Sequence, residues 1–285
     1  MAMQFYNMQA IDLKMALLAG NPIELGNLKI EPYTLREISE YGYSRYADNV
    51  KWLCASLDDF INSITDERKK QIILEHKENL KTFDFFIKLG GVELRNRLLE
   101  CLAMVFKTDD VLVIDGTQVA IDFVKKGIFI EKDGEYTLNT NNANITEDDL
   151  TLVHRDNFDD IVQIVKLQNY LEGIEDKDKE KEPKFANEEA RKLYEQMQKN
   201  KKKVAEIKKR QSENNDEGEI DFVDMISAVS AKSNSINKFN VWDLTLYQFY
   251  DEYRRLDVID EYNFGIQAML AGAKNINIKH WSSKS

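Results

Sequence analysis

Apolar positions in the first hundred residues recur mostly every three or four places, the spacing of helices packed on one face. The segment LGNLKIEPYTLREISEYGYSRY opens with a strand-like alternation at Leu28 and Ile30, meets Pro32, and then sets Thr34 three residues before Glu37. That pairing is a capping box, in which each side chain satisfies the other residue's free N–H. It predicts a short helix that Gly42 stops. Tyr46, Val50, Leu53, Leu57, Phe60 and Ile64 then recur at helical spacing. Thr65, Asp66 and Glu67 predict a further helix through Ile72, Ile73, His76 and Leu80. FDFFIKLGG reads as another, stopped at Gly90, and Leu94, Leu98, Leu102 and Val105 mark the next.

From Val111 the period changes to two. VLVID, IFIEK and EYTL read as strands, the last two joined by Asp133 and Gly134, a dipeptide that suits both central positions of a type I′ turn. LTLVH predicts one more strand, and Asp156 then reads as the N-cap of a helix carrying Ile161, Ile164, Leu167 and Leu171 before Gly173. Between Glu175 and Glu219 the pattern changes again: 26 of 45 residues are charged, 13 acidic and 13 basic. Ala190, Leu193, Met197, Val204 and Ile207 fall there on a loose heptad pattern, readable as an exposed helix, a coiled coil or a spacer. Beyond it, Ile220, Val223, Ile226 and Val229 predict a short helix. Trp242, Leu246, Phe249, Tyr253 and Leu256 predict a longer aromatic one, and Ile266, Met269 and Leu270 a third that ends at Gly272. INIKHWSSKS reads as extended.

The expected fold is therefore mainly α in the α+β class. A helical domain with a small sheet, strands near 111–153, spans 1–174; a charged linker or exposed helix spans 175–219; a helical module spans 220–285. In 285 residues with 43 % hydrophobic content, one or two domains can build cores. Formal charge is −11 and the pI about 5.0. Because the charged segment is neutral by count, the remainder carries that excess, which disfavours nucleic acid and anionic lipid as partners. Cys54 and Cys101 have no paired spacing and read as reduced core thiols. The first twenty residues have no basic leader, and Asp12 and Lys14 break their apolar run, so neither export nor a membrane span is expected. The expected location is cytoplasmic.

Candidate chemistry is sparse. His76, His154 and His280 lie in different segments without metal-ligand spacing. The acidic doublets Asp58/Asp59, Asp109/Asp110, Asp148/Asp149 and Asp159/Asp160 lack the glycine of a calcium loop, and no Walker, GxGxxG or GxSxG motif occurs. No cofactor, metal or catalytic residue is expected. The tempting LVHRDNFDD, with His154 as a base among carboxylates, reads more simply as a helix start. WDLTLYQFYDEYRRL is acidic as well as aromatic, which argues for a core stripe or protein-binding face over a base-stacking platform.

Three segments carry a resemblance: IEPYTLREISEYGYSRY, HRDNFDDIVQIVKLQNYLE, and VWDLTLYQFYDEYRRL through MLAGAKNINIKHW. In this order, with a charged linker between the second and third, they resemble proteins encoded in tail-gene operons of phages infecting Gram-positive bacteria, specifically tail assembly chaperones. The resemblance implies a non-enzymatic role: keeping the tape measure protein soluble and helping tail-tube subunits polymerise around it, in the host cytoplasm. Many members exist in short and long frameshifted forms, and KNKKK at 199–203 is compatible with a slippery codon tract. The resemblance implies no functional residue. From aromatic content alone, Trp242, Phe249, Tyr253 and Trp281 are the candidate partner-binding residues, and a homo-oligomer is possible. The competing readings are a structural component of the virion, in the tail or baseplate, and a hydrolase using His154 and nearby carboxylates.

Overall fold

The computed structural model describes residues 4–132, 134–142, 145–171, 220–272, 278 and 280–283. The segment 175–219 and Asp133 lie outside them. Helix α1 (Ala10–Ala19) ends at Gly20 in the left-handed conformation and leads into a small antiparallel hairpin, β1 (Ile23–Leu25) and β2 (Leu28–Ile30), with Ile23 opposite Ile30. Helices α2 (Leu35–Tyr41) and α3 (Tyr43–Leu53) follow, hinged at Gly42, whose φ of 96° a side chain would resist. Both reciprocal bonds of the Thr34–Glu37 capping box form. The helical run from Tyr46 to Ile64 is broken after Leu53, because Ser56 and Asp59 build a second capping box that starts α4 (Leu57–Ser63). Helix α5 (Glu67–Glu75) follows.

The FDFFIKLGG segment departs from a plain helix. A single turn, α6 (Thr82–Asp84), continues as a π-helical turn over Phe85–Leu89, closed by the Gly90 N–H donating to the Phe85 carbonyl at 2.7 Å. This wider turn lets Phe83, Phe85 and Phe86 all be buried, although the three span only four positions. Helix α7 (Gly91–Val105) buries Leu98, Cys101, Leu102, Met104 and Val105.

Strands β3 (Val111–Ile114), β4 (Gln118–Ile121) and β7 (Leu152–Val153) form one antiparallel sheet in the order β3-β4-β7. Strands β5 (Phe129–Lys132) and β6 (Glu135–Leu138) form the expected hairpin, with Lys132 opposite Glu135 and Gly134 at φ 82°. Helix α8 (Phe158–Gln168) starts later than expected. Its N-cap is Asn157 rather than Asp156, since the Asn157 side chain accepts the His154 N–H and donates to the Leu152 carbonyl, holding strand end and helix start together. Leu171 is exposed beyond the end of α8.

Among the described residues, the C-terminal part has two α-helices instead of three. Helix α9 (Phe222–Lys232) begins at an Asp221–Asp224 capping box, and α10 runs unbroken from Leu246 to Leu270. Gly265 does not interrupt it, since a single helical glycine costs only ~1 kcal/mol. Ile226, Val229, Val241, Leu246 and Phe249 belong to the same hydrophobic cluster as Leu17, Leu35, Leu53, Phe86 and Ile161. The fold is mainly helical α+β, with one core drawing on both sides of the charged segment.

Candidate functional site

The aromatic helix is positioned by two adjacent capping boxes. Thr245 and Gln248 cap α10 as Thr34 and Glu37 cap α2, and the two threonines face each other across an isolated antiparallel bridge. The Leu35 N–H donates to the Leu244 carbonyl at 2.8 Å, and Arg36 pairs with Asp243 at 3.1 Å. Two helix starts thus satisfy part of each other's free backbone. Behind this junction, Phe249 is fully buried, edge-on to Phe222 at 5.4 Å. Phe222 stacks on Tyr43 at the start of α3, with centroids 4.8 Å apart and planes 12° apart. Tyr170, just past α8, meets Tyr247 and Tyr250 on the other side, and the Arg254 guanidinium lies 4.9 Å over its ring.

The four candidate partner-binding residues do not share a face. Phe249 is a core residue, because its position on α10 points into the common cluster, and it is closed to a partner. Trp242 precedes α10, in a 3-10 turn over Val241–Asp243; it is half-buried and its indole N–H donates to the Lys238 carbonyl at 3.0 Å. Tyr253 is 38 % exposed on α10. Trp281 is half exposed in the returning C-terminal tail, beside His280 at 5.3 Å. That tail runs antiparallel to α10: Ile278 packs on Gly265, His280 meets Tyr262 at 5.6 Å, and Arg255 Nη1 donates to the carbonyls of Trp281 at 3.2 Å and Ser283 at 2.8 Å.

Other apolar side chains face outward. On α10 beyond Phe249 no described residue is fully buried, and Phe264 and Leu270 are 76 % and 84 % exposed. Helix α1 buries Leu13 and Leu17 yet exposes Ile11, Met15 and Leu18 on its other side. The signal for the second face was present, since Ile11, Met15 and Leu18 follow the i, i+4, i+7 rule; a helix apolar on two faces has a second surface to cover.

His154 sits apart from all of this. Its Nδ1 accepts the Asp156 N–H at 3.2 Å, and Asp156 extends to Lys81 Nζ at 3.1 Å. The hydrogen bond and charge of Lys81 hold that carboxyl below its usual range. The nearby buried Asp84 is paired with Lys88 and Arg155. Each group's partners account for it as a helix-start and ion-pair network. Among the described residues, no group of three or more His, Cys, Asp or Glu could hold a metal ion, and no helix is long and apolar enough to cross a membrane. Neither Cys54 nor Cys101 forms a disulfide, and burial pushes the Cys101 thiol up to about 12.

Residues 208–285 match the family model described as the YomV second domain, of a phage-related family. The match covers α9, the paired capping junction, α10 and the returning tail. No curated protein and no solved structure gave a significant match.

Proposed function

We propose that this chain is a non-enzymatic binding protein of phage tail morphogenesis: an assembly chaperone that holds the tape measure protein, the tail-tube protein or both in soluble form in the host cytoplasm. The observation that carries the reading is the phage-related match over 208–285, which falls on the part of the chain where α10 presents Phe264 and Leu270 to solvent. The resemblance of three separated segments to tail-operon chaperones supports the finer assignment. Exposed apolar residues flanked by charge suit a protein whose task is to cover another chain's hydrophobic surface.

The test is co-expression with the other tail-operon proteins, recovering this chain and identifying what accompanies it. The tape measure or tube protein should co-purify and stay soluble. Replacing both Phe264 and Leu270 by serine, with folding checked by circular dichroism, should at least halve its soluble yield. Recovery of unrelated host proteins alone, or this chain found as a stoichiometric part of purified virions, would overturn the reading.

A further inference from the structure

At the far end of α3 from the Tyr43–Phe222 stack, roughly 14 Å away at 1.5 Å per residue, lies an open groove of about 560 Å³. Its apolar walls are Trp52, Phe60, Ile64, Phe85 and Leu94. Trp52 is fixed there by Phe60, edge-on at 5.3 Å, and by Phe86, stacked at 4.6 Å. The π-helical turn contributes Phe85, and such turns recur at functional positions because they break the regular aim of helical side chains. Leu89 and Val92, on the approach to Leu94, are exposed apolar residues.

Among the described residues, the lining includes two charged ones, Asp59 and Asp66, and no basic one. Asp59 is held below the usual carboxylate range by the hydroxyl and backbone N–H of Ser56, so it is negative at neutral pH. Every structured element bordering the groove is helical: α3, α4, the π turn and α7. No strand edge is offered, so recognition must run through side chains and not by strand addition. A second copy fits poorly, since two chains of charge −11 would bring acidic rims towards acidic surfaces.

We propose that this groove receives the apolar face of an amphipathic helix of a partner protein, with lysine or arginine on the helix flank meeting Asp59 and Asp66. The proposal rests on the binding-protein reading and names the chemistry one of its partners must carry. Aromatic anchors in the groove supply contact area, and the rim charges set polarity and orientation.

The probe is a fluorescein-labelled synthetic helix with Leu and Phe at i, i+3, i+4 and i+7 and lysine on its flanks, titrated with the full chain by anisotropy. Saturable binding is expected. A glutamate-flanked peptide should bind about tenfold or more weakly, a gap that narrows as salt rises because exposed charges are screened. Leu94→Arg should abolish binding; should it unfold the chain, Thr65→Arg at the exposed rim is the substitute and should weaken binding at least tenfold. Equal affinity for both peptides, or binding unchanged by a folded groove variant, overturns the proposal. So does binding that appears only when residues 175–219 are deleted, which would assign the groove to this chain's own lysine-rich stretch, or a dimer that the groove variants dissolve. If those variants still recover both the tape measure and the tail-tube protein, the groove assignment fails while the chaperone reading stands.

Discussion

Glu37 joins three parts of the chain through one carboxylate. Its Oε2 accepts the Thr34 N–H at 2.8 Å and the Thr34 hydroxyl at 3.1 Å, and its Oε1 accepts from Lys107 Nζ at 2.6 Å. Lys107 in turn donates to the Pro32 carbonyl and lies 4.5 Å over the Tyr33 ring. Burial alone would raise the Glu37 pKa, but the bonds from Lys107 and Thr34 outweigh it and hold the carboxyl below 4.5. A depressed folded pKa means that the unfolded chain takes up the proton first, so this stabilisation is intact above about pH 4.5 and is lost as pH falls through the folded value. Glu100, Asp59, Asp149 and Asp156 share the sign, so only a comparison isolates Glu37. Glu37→Gln is expected to melt lower than the parent at pH 7 and to lose less between pH 5 and 3; parallel profiles would refute the coupling. Thr34 and Glu37 were legible in sequence because a capping box is a local pattern. Phe249 was not: on an aromatic helix, spacing alone cannot say which ring meets Phe222 and which meets water.

Among the elements, legibility followed how local the deciding interaction is. Asp133-Gly134 announced the β5–β6 hairpin, and β5 and β6 pair as expected. Asp115-Gly116 carries the same signal and both residues have positive φ, yet the strand QVAI after it was missed because it follows too closely on VLVID to read as a separate run. The single helix α10 was read as two, since Asp257, Asp260, Glu261 and Asn263 interrupt its apolar stripe. The returning tail lies along the place where the two were divided, meeting Tyr262 and Gly265 and accepting from Arg255. The tail offers a test at Gly265, where an added Cβ would lie 2.8 Å from Ile278 Cγ1. Gly265→Ala is expected to favour the helix by up to ~1 kcal/mol while levering Ile278 away. With 5-fluorotryptophan incorporated, the Trp281 fluorine resonance should shift and sharpen while those of Trp52 and Trp242 stay in place. Three unchanged resonances would mean that the tail does not rest on Gly265.

At the scale of the whole molecule, composition divides the chain but packing joins it. The stretch 175–219 contains 13 lysines and arginines and few apolar groups, which makes it the expected first target of trypsin. From that pattern alone the two flanking parts look like separate bodies, since sequence period reports which face of an element is apolar and not what covers it. The covering residues are far apart in the chain: Phe249 and Val229 lie in one cluster with Leu35 and Ile161, Leu35 bonds to Leu244, and Gln248 reaches the Leu18 carbonyl at 2.9 Å. Deleting a fully buried phenylalanine typically costs ~3–5 kcal/mol, and the C-terminal part contributes Phe249 together with Val241, Leu246 and Val229, so a cut in the charged stretch should not release it. Limited trypsin digestion is therefore expected to give two fragments on a denaturing gel that co-elute as one species in native gel filtration and separate only in urea. Phe249→Ala should let the nicked fragments part under native conditions, because it removes a fully buried ring from the cluster that both fragments build. Independent elution of the parent's fragments without denaturant would show that 220–285 folds as a tethered module, and the single core would have to be abandoned.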